Sequence, residues 1–222
     1  MPMSFKPAWL VLAGLILLAL VPVIAGGARL AELAGQPEVT PSNARFVTAP
    51  VPVVLHIVSV TTYALLGAFQ FSDGLRRSHP RWHRIAGRVL VLAGLLAALS
   101  GLWMTQAYTP PPMDRGLTLY LVRIAVGTGM TASLTLGIAA IRRGDITRHR
   151  AWMMRAYGLG MGAGTQVLTH LPWTLLIEMP NSTTTRDVLM GAGWAINIAI
   201  VEWVLVRRTR LGRQQAVAPL VS

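Results

Sequence analysis

Cysteine is absent from this sequence of 222 residues. Its absence excludes disulfides, thiolate metal sites, iron–sulfur clusters and thioether-attached c-type haem, and leaves the redox compartment without a marker. Carboxylates are scarce, with eight Asp and Glu against twenty Lys and Arg, for a formal net charge of +12. Charged residues make up only 13% of the chain and hydrophobic ones 53%, a balance too apolar for a soluble domain of this length. A Walker loop, a His-Glu-x-x-His helix and a nucleophile elbow are also missing, so hydrolysis of phosphates, peptides or esters has no visible machinery. No matching pair of broken helices marks the two halves of a secondary transporter.

What is present describes an all-α, polytopic membrane protein. Six apolar runs of spanning length occupy residues 8–26, 51–71, 85–108, 117–141, 151–171 and 188–206. The first is expected to be an uncleaved helix, because its apolar run is long for a signal-peptide core. Residues 27–50 are polar and Pro-rich, and predict an external loop holding a short surface helix. Three consecutive prolines, Pro110 to Pro112, end the third span, and Pro172 is expected to end the fifth. Helices two to five are predicted to form a central four-helix bundle flanked by helices one and six. Residues 1–213 form one six-span domain, and 214–222 a disordered tail.

The chain is organised around a basic turn, Arg76-Arg77-Ser78-His79-Pro80-Arg81-Trp82-His83-Arg84, with a looser copy at 142–150. Segments 72–84, 142–150 and 207–213 hold four Arg each, and all three fall on one side of a six-span chain together with Lys6. The other side receives Arg29, Arg45, Arg115 and Arg186, diluted by five carboxylates. Positive charge in short loops stays on the cytoplasmic side, so both termini are expected in the cytoplasm of a bacterial inner membrane. The basic turns would meet anionic lipid headgroups there. Because the cations sit in these loops, nucleic acid is not an expected partner.

Polar side chains inside the spans cost about 2.5–3.5 kcal/mol each on insertion scales, so each needs a partner or a purpose. In helix two, His56, Tyr63, Gly67 and Gln70 recur at i, i+7, i+11 and i+14, a single stripe with Ser59 beside it. That stripe is either an interhelical hydrogen-bond seam or a ligand face. Helix five carries His149 at one mouth and His170 near the other, about 60° and about 31 Å apart on a continuous helix. Glycines 158, 160, 162 and 164 bare its middle, for close backbone packing or a flat cofactor. Arg123 lies about one and a half turns inside helix four, suited to a propionate or to Asp114 or Glu178. Glu202 with Arg155 or Arg88, at similar depth, suggests a buried ion pair, either structural or part of a proton or substrate path. Trp9, Trp103, Trp152, Trp173 and Trp203 mark span ends in the manner of an aromatic belt.

By depth the imidazoles divide into His56 and His170 toward the outer surface and His83 and His149, with His79 nearby, at the inner one. Paired imidazoles on separate helices are what bis-histidine haem ligation requires, and one pair per surface would carry electrons across the bilayer. The leading expectation is therefore a b-type haem redox protein, with His56 and His170 on an outer haem, His83 and His149 on an inner one, and Arg123 near the outer propionates. Beyond haem iron no metal site is expected. The alternatives are a haem-free protein that binds lipid headgroups or a partner subunit, and a small transporter using the Tyr63–Gln70 stripe.

The motifs Leu66-Gly67-Ala68-Phe69-Gln70-Phe71, Leu75-Arg76, His83-Arg84-Ile85-Ala86-Gly87-Arg88 and Asp145-Ile146-Thr147-Arg148-His149-Arg150-Ala151-Trp152-Met153-Met154-Arg155 resemble the bacterial membrane-protein family catalogued as domain of unknown function two-three-zero-six. That likeness spans residues 50–160 and implies topology more than chemistry. The layout also resembles the ascorbate-reducible cytochrome b family, in which each of four central helices supplies one haem histidine. Here helix four has none and helix five would supply two.

Overall fold

The computed structural model describes residues 8–176 and 182–217, and among these every regular element is helical. Nine α-helices follow in order: α1 (Ala8–Ala34), α2 (Ala44–Thr48), α3 (Pro50–Ala68), α4 (Asp73–Ser78), α5 (Pro80–Ala107), α6 (Leu117–Arg142), α7 (Ile146–Gly160), α8 (Gly162–Leu176) and α9 (Thr183–Val217). Five of them, α1, α3, α5, α6 and α9, are long and apolar enough to cross a membrane.

Local chemistry sets the ends. Pro50 and Pro80 open α3 and α5 from the first turn, where a missing N–H costs nothing. For α5 this start lies five residues ahead of the apolar run that announced the span. The basic turn before it is itself partly helical: Ser72 Oγ accepts from Leu75 N at 3.3 Å to cap α4, and Arg76 and Arg77 sit in its last turn, where cations suit the helix dipole. Gly144, at φ +76°, stops α6. Its N–H donates to Ile141 O and that of Asp145 to Ala140 O, a five-to-two and a six-to-one closure in that order, which needs a left-handed residue. Asp145 then caps α7 by accepting from Arg148 N at 2.8 Å.

Three spans differ from their expected limits. α1 continues past Gly26 and Gly27 to Ala34, where Arg29 pairs with Glu32 one turn on. α9 runs to Val217, through the last arginines and through 214–217; residues 218–222 of the expected tail and Lys6 lie outside the described residues. The fifth span is not one helix. It breaks at Met161 into α7 and α8, each of 15 residues, or about 22 Å, and continues through Pro172 to Leu176. A proline survives within a helix in an apolar setting because neighbouring groups can satisfy the carbonyl it frees.

α3 packs on α5, α5 on α6 and α6 on α7, and α7 touches α3. α8 leaves this set and packs instead on α9 and α1, while α1 also lies along α3. The core is made of small residues and a few rings: Ala64, Ala93, Ala98 and Ala156 with Tyr63, Tyr157, Met130 and Leu134. The outside is apolar, with Leu17, Leu92, Leu121, Ile200 and Trp203 all exposed. Without water to drive helices together, close approach over small residues supplies the cohesion. The short connections put the turns at 72–79 and 143–145 and the C-terminal end of α9 at one end of the molecule, here the basic end.

Candidate functional site

The departure of α8 opens a cavity of about 900 Å³ at the far end, between α3, α5, α6, α9 and the α7–α8 break. Its inner wall is small and apolar, with Ala97, Gly101, Gly127, Met130, Gly160 and Ala163. Its rim is polar: Arg45, Tyr108, Asp114, Arg115 and Arg123.

One imidazole stands on the inner wall. His56, in the second turn of α3, has Nδ1 at 2.9 Å from Ala97 O and 3.2 Å from Ser100 Oγ on α5. A carbonyl only accepts, so Nδ1 carries the proton and Nε2 keeps its lone pair. Gly101 makes room for the ring, since a Cβ there would lie 3.3 Å from His56 Cε1. His56 also borders a smaller cavity of about 80 Å³ against Pro22 of α1.

His170 repeats the arrangement on α8, with Nδ1 2.7 Å from Gln166 O and Nε2 buried without a partner among the described residues. It does not line the cavity, but it lies four and seven residues along α8 from Gln166 and Ala163, which do, and so on their face. At the basic end, His149 Nδ1 lies 2.9 Å from Gly137 O, and His83, whose Nδ1 is buried without a partner among the described residues, comes within electrostatic reach of it. Neither borders either cavity. His79 is exposed beside Ser78.

The remaining polar residues of the spans fall into place around these. Arg123 pairs with Asp114 Oδ2 at 3.3 Å, and the other oxygen of Asp114 accepts from Arg186 Nε; Glu178 lies outside the described residues. Arg155 holds Glu202 with two hydrogen bonds of 2.6 and 2.9 Å and lies over Trp152, on a flank where both side chains are part exposed. Arg88 is exposed and has no carboxylate partner among the described residues. Tyr63 is buried with its ring against Gly94 and Gly160, and Gln70 Nε2 is buried without a partner among the described residues. The glycines of the fifth span are sockets: Gly160 receives Tyr63, Gly162 the Trp194 indole, and Gly164 the backbone of Leu18.

Two residues that the sequence reading passed over hold this region together. Asn197, buried in α9, donates from Nδ2 to Gly158 O at 3.0 Å and accepts from Thr165 Oγ1 at 2.7 Å, so one amide spans both sides of the break. An Asn between Ile196 and Ile198 in an apolar run was the available signal. Asp187 caps α6 from a distance, its Oδ2 accepting from Leu119 N at 3.2 Å. Gly116 lies directly against that carboxylate and leaves no room for a Cβ. Gly116→Ala is therefore expected to displace Asp187 and destabilise the protein by about 1–3 kcal/mol, measurable by thermal unfolding in detergent.

An all-helical chain with five helices able to cross a bilayer, an apolar exterior and polar groups turned inward is a polytopic membrane protein. More narrowly, residues 53–205 match the model of the family described as "Predicted membrane protein (DUF2306)", and the chain belongs to that family. No curated protein and no solved structure matches the chain.

Proposed function

We propose that this protein is a six-span redox protein of the inner membrane that would hold b-type haem in its far-end cavity through His56, with His170, on the face of α8 that carries Gln166 and Ala163, as a second ligand. α7 and α8 together would make the sixth crossing, and the basic end would face the cytoplasm, where positive loops are retained. The observation that carries the reading is His56: a backbone carbonyl fixes its tautomer and leaves a bare Nε2 on the wall of a cofactor-sized cavity. The orphaned Nε2 of His170 is a second donor, its Nδ1 held by the Gln166 carbonyl of its own helix. His56 and the apolar wall fit the group, and His170 is set back from that wall on the adjoining face of α8. Bound there, haem supplies one-electron transfer. The chain's own part is to orient the imidazoles, exclude water with Met130, Leu159 and Trp194, and set a positive potential at the rim.

A relay across the bilayer would need a second site at His83 and His149. Because both lie at the basic end, away from the cavity wall where His56 stands, the proposal is confined to the far-end site.

The full chain, produced in haem-replete cells and purified in mild detergent, is expected to show a Soret band that sharpens and shifts with dithionite, at about one haem per chain. His56→Ala should abolish the low-spin spectrum, His170→Ala should convert it to high spin, and the exposed His79→Ala should leave it unchanged. A wild-type protein that melts cooperatively yet has no Soret band would end this reading.

A further inference from the structure

We propose that the rim of the far-end cavity is a receptor for carboxylates, in which Arg45 and Arg115 take the two acid groups of a ligand whose apolar body lies inside. This deepens the haem reading and rests on it for the identity of the body.

The argument is one of charge balance. Four guanidiniums gather at the rim, those of Arg45, Arg115, Arg123 and Arg186, against the two carboxylates of Asp114 and Asp187. Asp114 is used twice, by Arg123 and Arg186, and Asp187 is committed to the N-terminus of α6. Arg123, the cation that sequence alone put beside the propionates, is thus already paired, sharing Asp114 with Arg186. Arg45 and Arg115 have no carboxylate within ion-pair distance among the described residues.

Both are positioned, Arg45 half-buried and Arg115 exposed at the mouth of the cavity. Arg45 lies over the Phe46 ring at 4.4 Å, and that ring meets Tyr108 edge-on at 5.6 Å. Arg29 lies over Phe46 too, at 4.6 Å, but it has Glu32. Arg115 Nε donates to Pro110 O at 3.1 Å, which fixes the base of its fork and leaves the terminal nitrogens to a ligand. Burial pulls the Arg45 pKa below the usual arginine range, as do its neighbours Arg29 and Arg123, against the pull of Asp114. A part-buried cation without a counterion is a standing cost that an anion removes. The apolar inner wall then demands that the anion be the head of an amphiphile, and two unmatched cations suit two carboxylates.

The test is a titration of the full apo-chain in nanodiscs of phosphatidylcholine with haem and with haem dimethyl ester, which has the same ring and no acid. Wild type is expected to bind the diacid about tenfold or more tightly than the ester. Arg45→Gln and Arg115→Gln should each reduce that preference and together remove it, while Arg84→Gln at the basic end leaves it intact; melting curves check that the variants fold. Equal binding of diacid and ester by wild type would overturn the rim and leave the haem site standing. If neither porphyrin binds, the haem reading fails, and cis-parinaric acid against its methyl ester decides the rim by itself: an acid preference lost in Arg45→Gln sustains it, and no preference overturns it. A preference that vanishes when phosphatidylglycerol replaces phosphatidylcholine would give the rim to lipid phosphate and overturn the assignment to carboxylates.

Discussion

Asn197→Leu is expected to destabilise the protein by about 2–4 kcal/mol and to disturb the far-end cavity with it. The amide joins Gly158 O to Thr165 Oγ1 across the point where α7 stops and α8 begins. Gly158 O lies four residues ahead of Gly162, the N–H it would meet in an unbroken helix, and takes Asn197 Nδ2 at 3.0 Å. Leucine fills a similar volume with no donor, so a buried carbonyl and a buried hydroxyl both lose partners. Each such group costs about 1–3 kcal/mol, toward the lower figure in a bilayer, where the unfolded state also finds partners. Thr165→Val removes only one of the two bonds and should cost less than half as much. In the double variant the Thr165 term should disappear, a coupling readable by thermal or SDS-induced unfolding in detergent. Equal stability of Asn197→Leu and wild type would mean that the break does not depend on the amide.

This break marks where sequence reasoning stopped. Hydropathy finds spans because it averages over a window, and that average finds α3, α5 and α6 to within a few residues wherever proline or a basic turn ends the run. The same average is blind to hydrogen bonds, so Gly158 to Gly164 passed as one glycine-rich helix although Met161 interrupts it. Its support comes from Asn197, distant in sequence, and no local pattern announces it. Pro172 misled in the opposite sense, since a residue that stops helices in water is tolerated in α8.

The candidate site was legible in part for the same reason. Helical spacing put His56 on an inward face, but that its proton is held by Ala97 O is a contact between α3 and α5 that spacing does not reveal. Arg123 had a propionate, Asp114 or Glu178 as candidate partners, and that Asp114, nine residues earlier and outside the helix, takes it is a contact that spacing does not decide. Arg45 was counted only as a loop charge, yet α2 and the Phe46 ring bring it to the cavity rim. Depth along a helix can be read from one strand of text; which polar atoms are already satisfied cannot.

Gly164→Val is the second substitution with a large expected effect, because what it meets is main chain. A Cβ at Gly164 would lie 2.3 Å from Leu18 O and 2.9 Å from Leu18 Cγ of α1. That carbonyl faces outward for a definite cause: Pro22, four residues on, has no N–H to give it. The bare Gly164 backbone approaches it closely, in reach of a weak Cα–H···O contact. A side chain can rotate out of the way of a methyl group, but a carbonyl in a helix cannot, so α1 as a whole must move off α8. The cost expected is about 2–4 kcal/mol. Gly14→Val is the control, since Gly14 has nothing within 4 Å and its new side chain meets only lipid. Displacing α1 would also open the small cavity that Pro22 shares with His56 and Gly160, and so admit lipid or water beside the imidazole. Gly164→Val should therefore lower the melting temperature and broaden or bleach any Soret band together, whereas Gly14→Val does neither. A Gly164→Val protein as stable as wild type would show that α1 is held by its contact with α3 alone, leaving α8 free to shift against it.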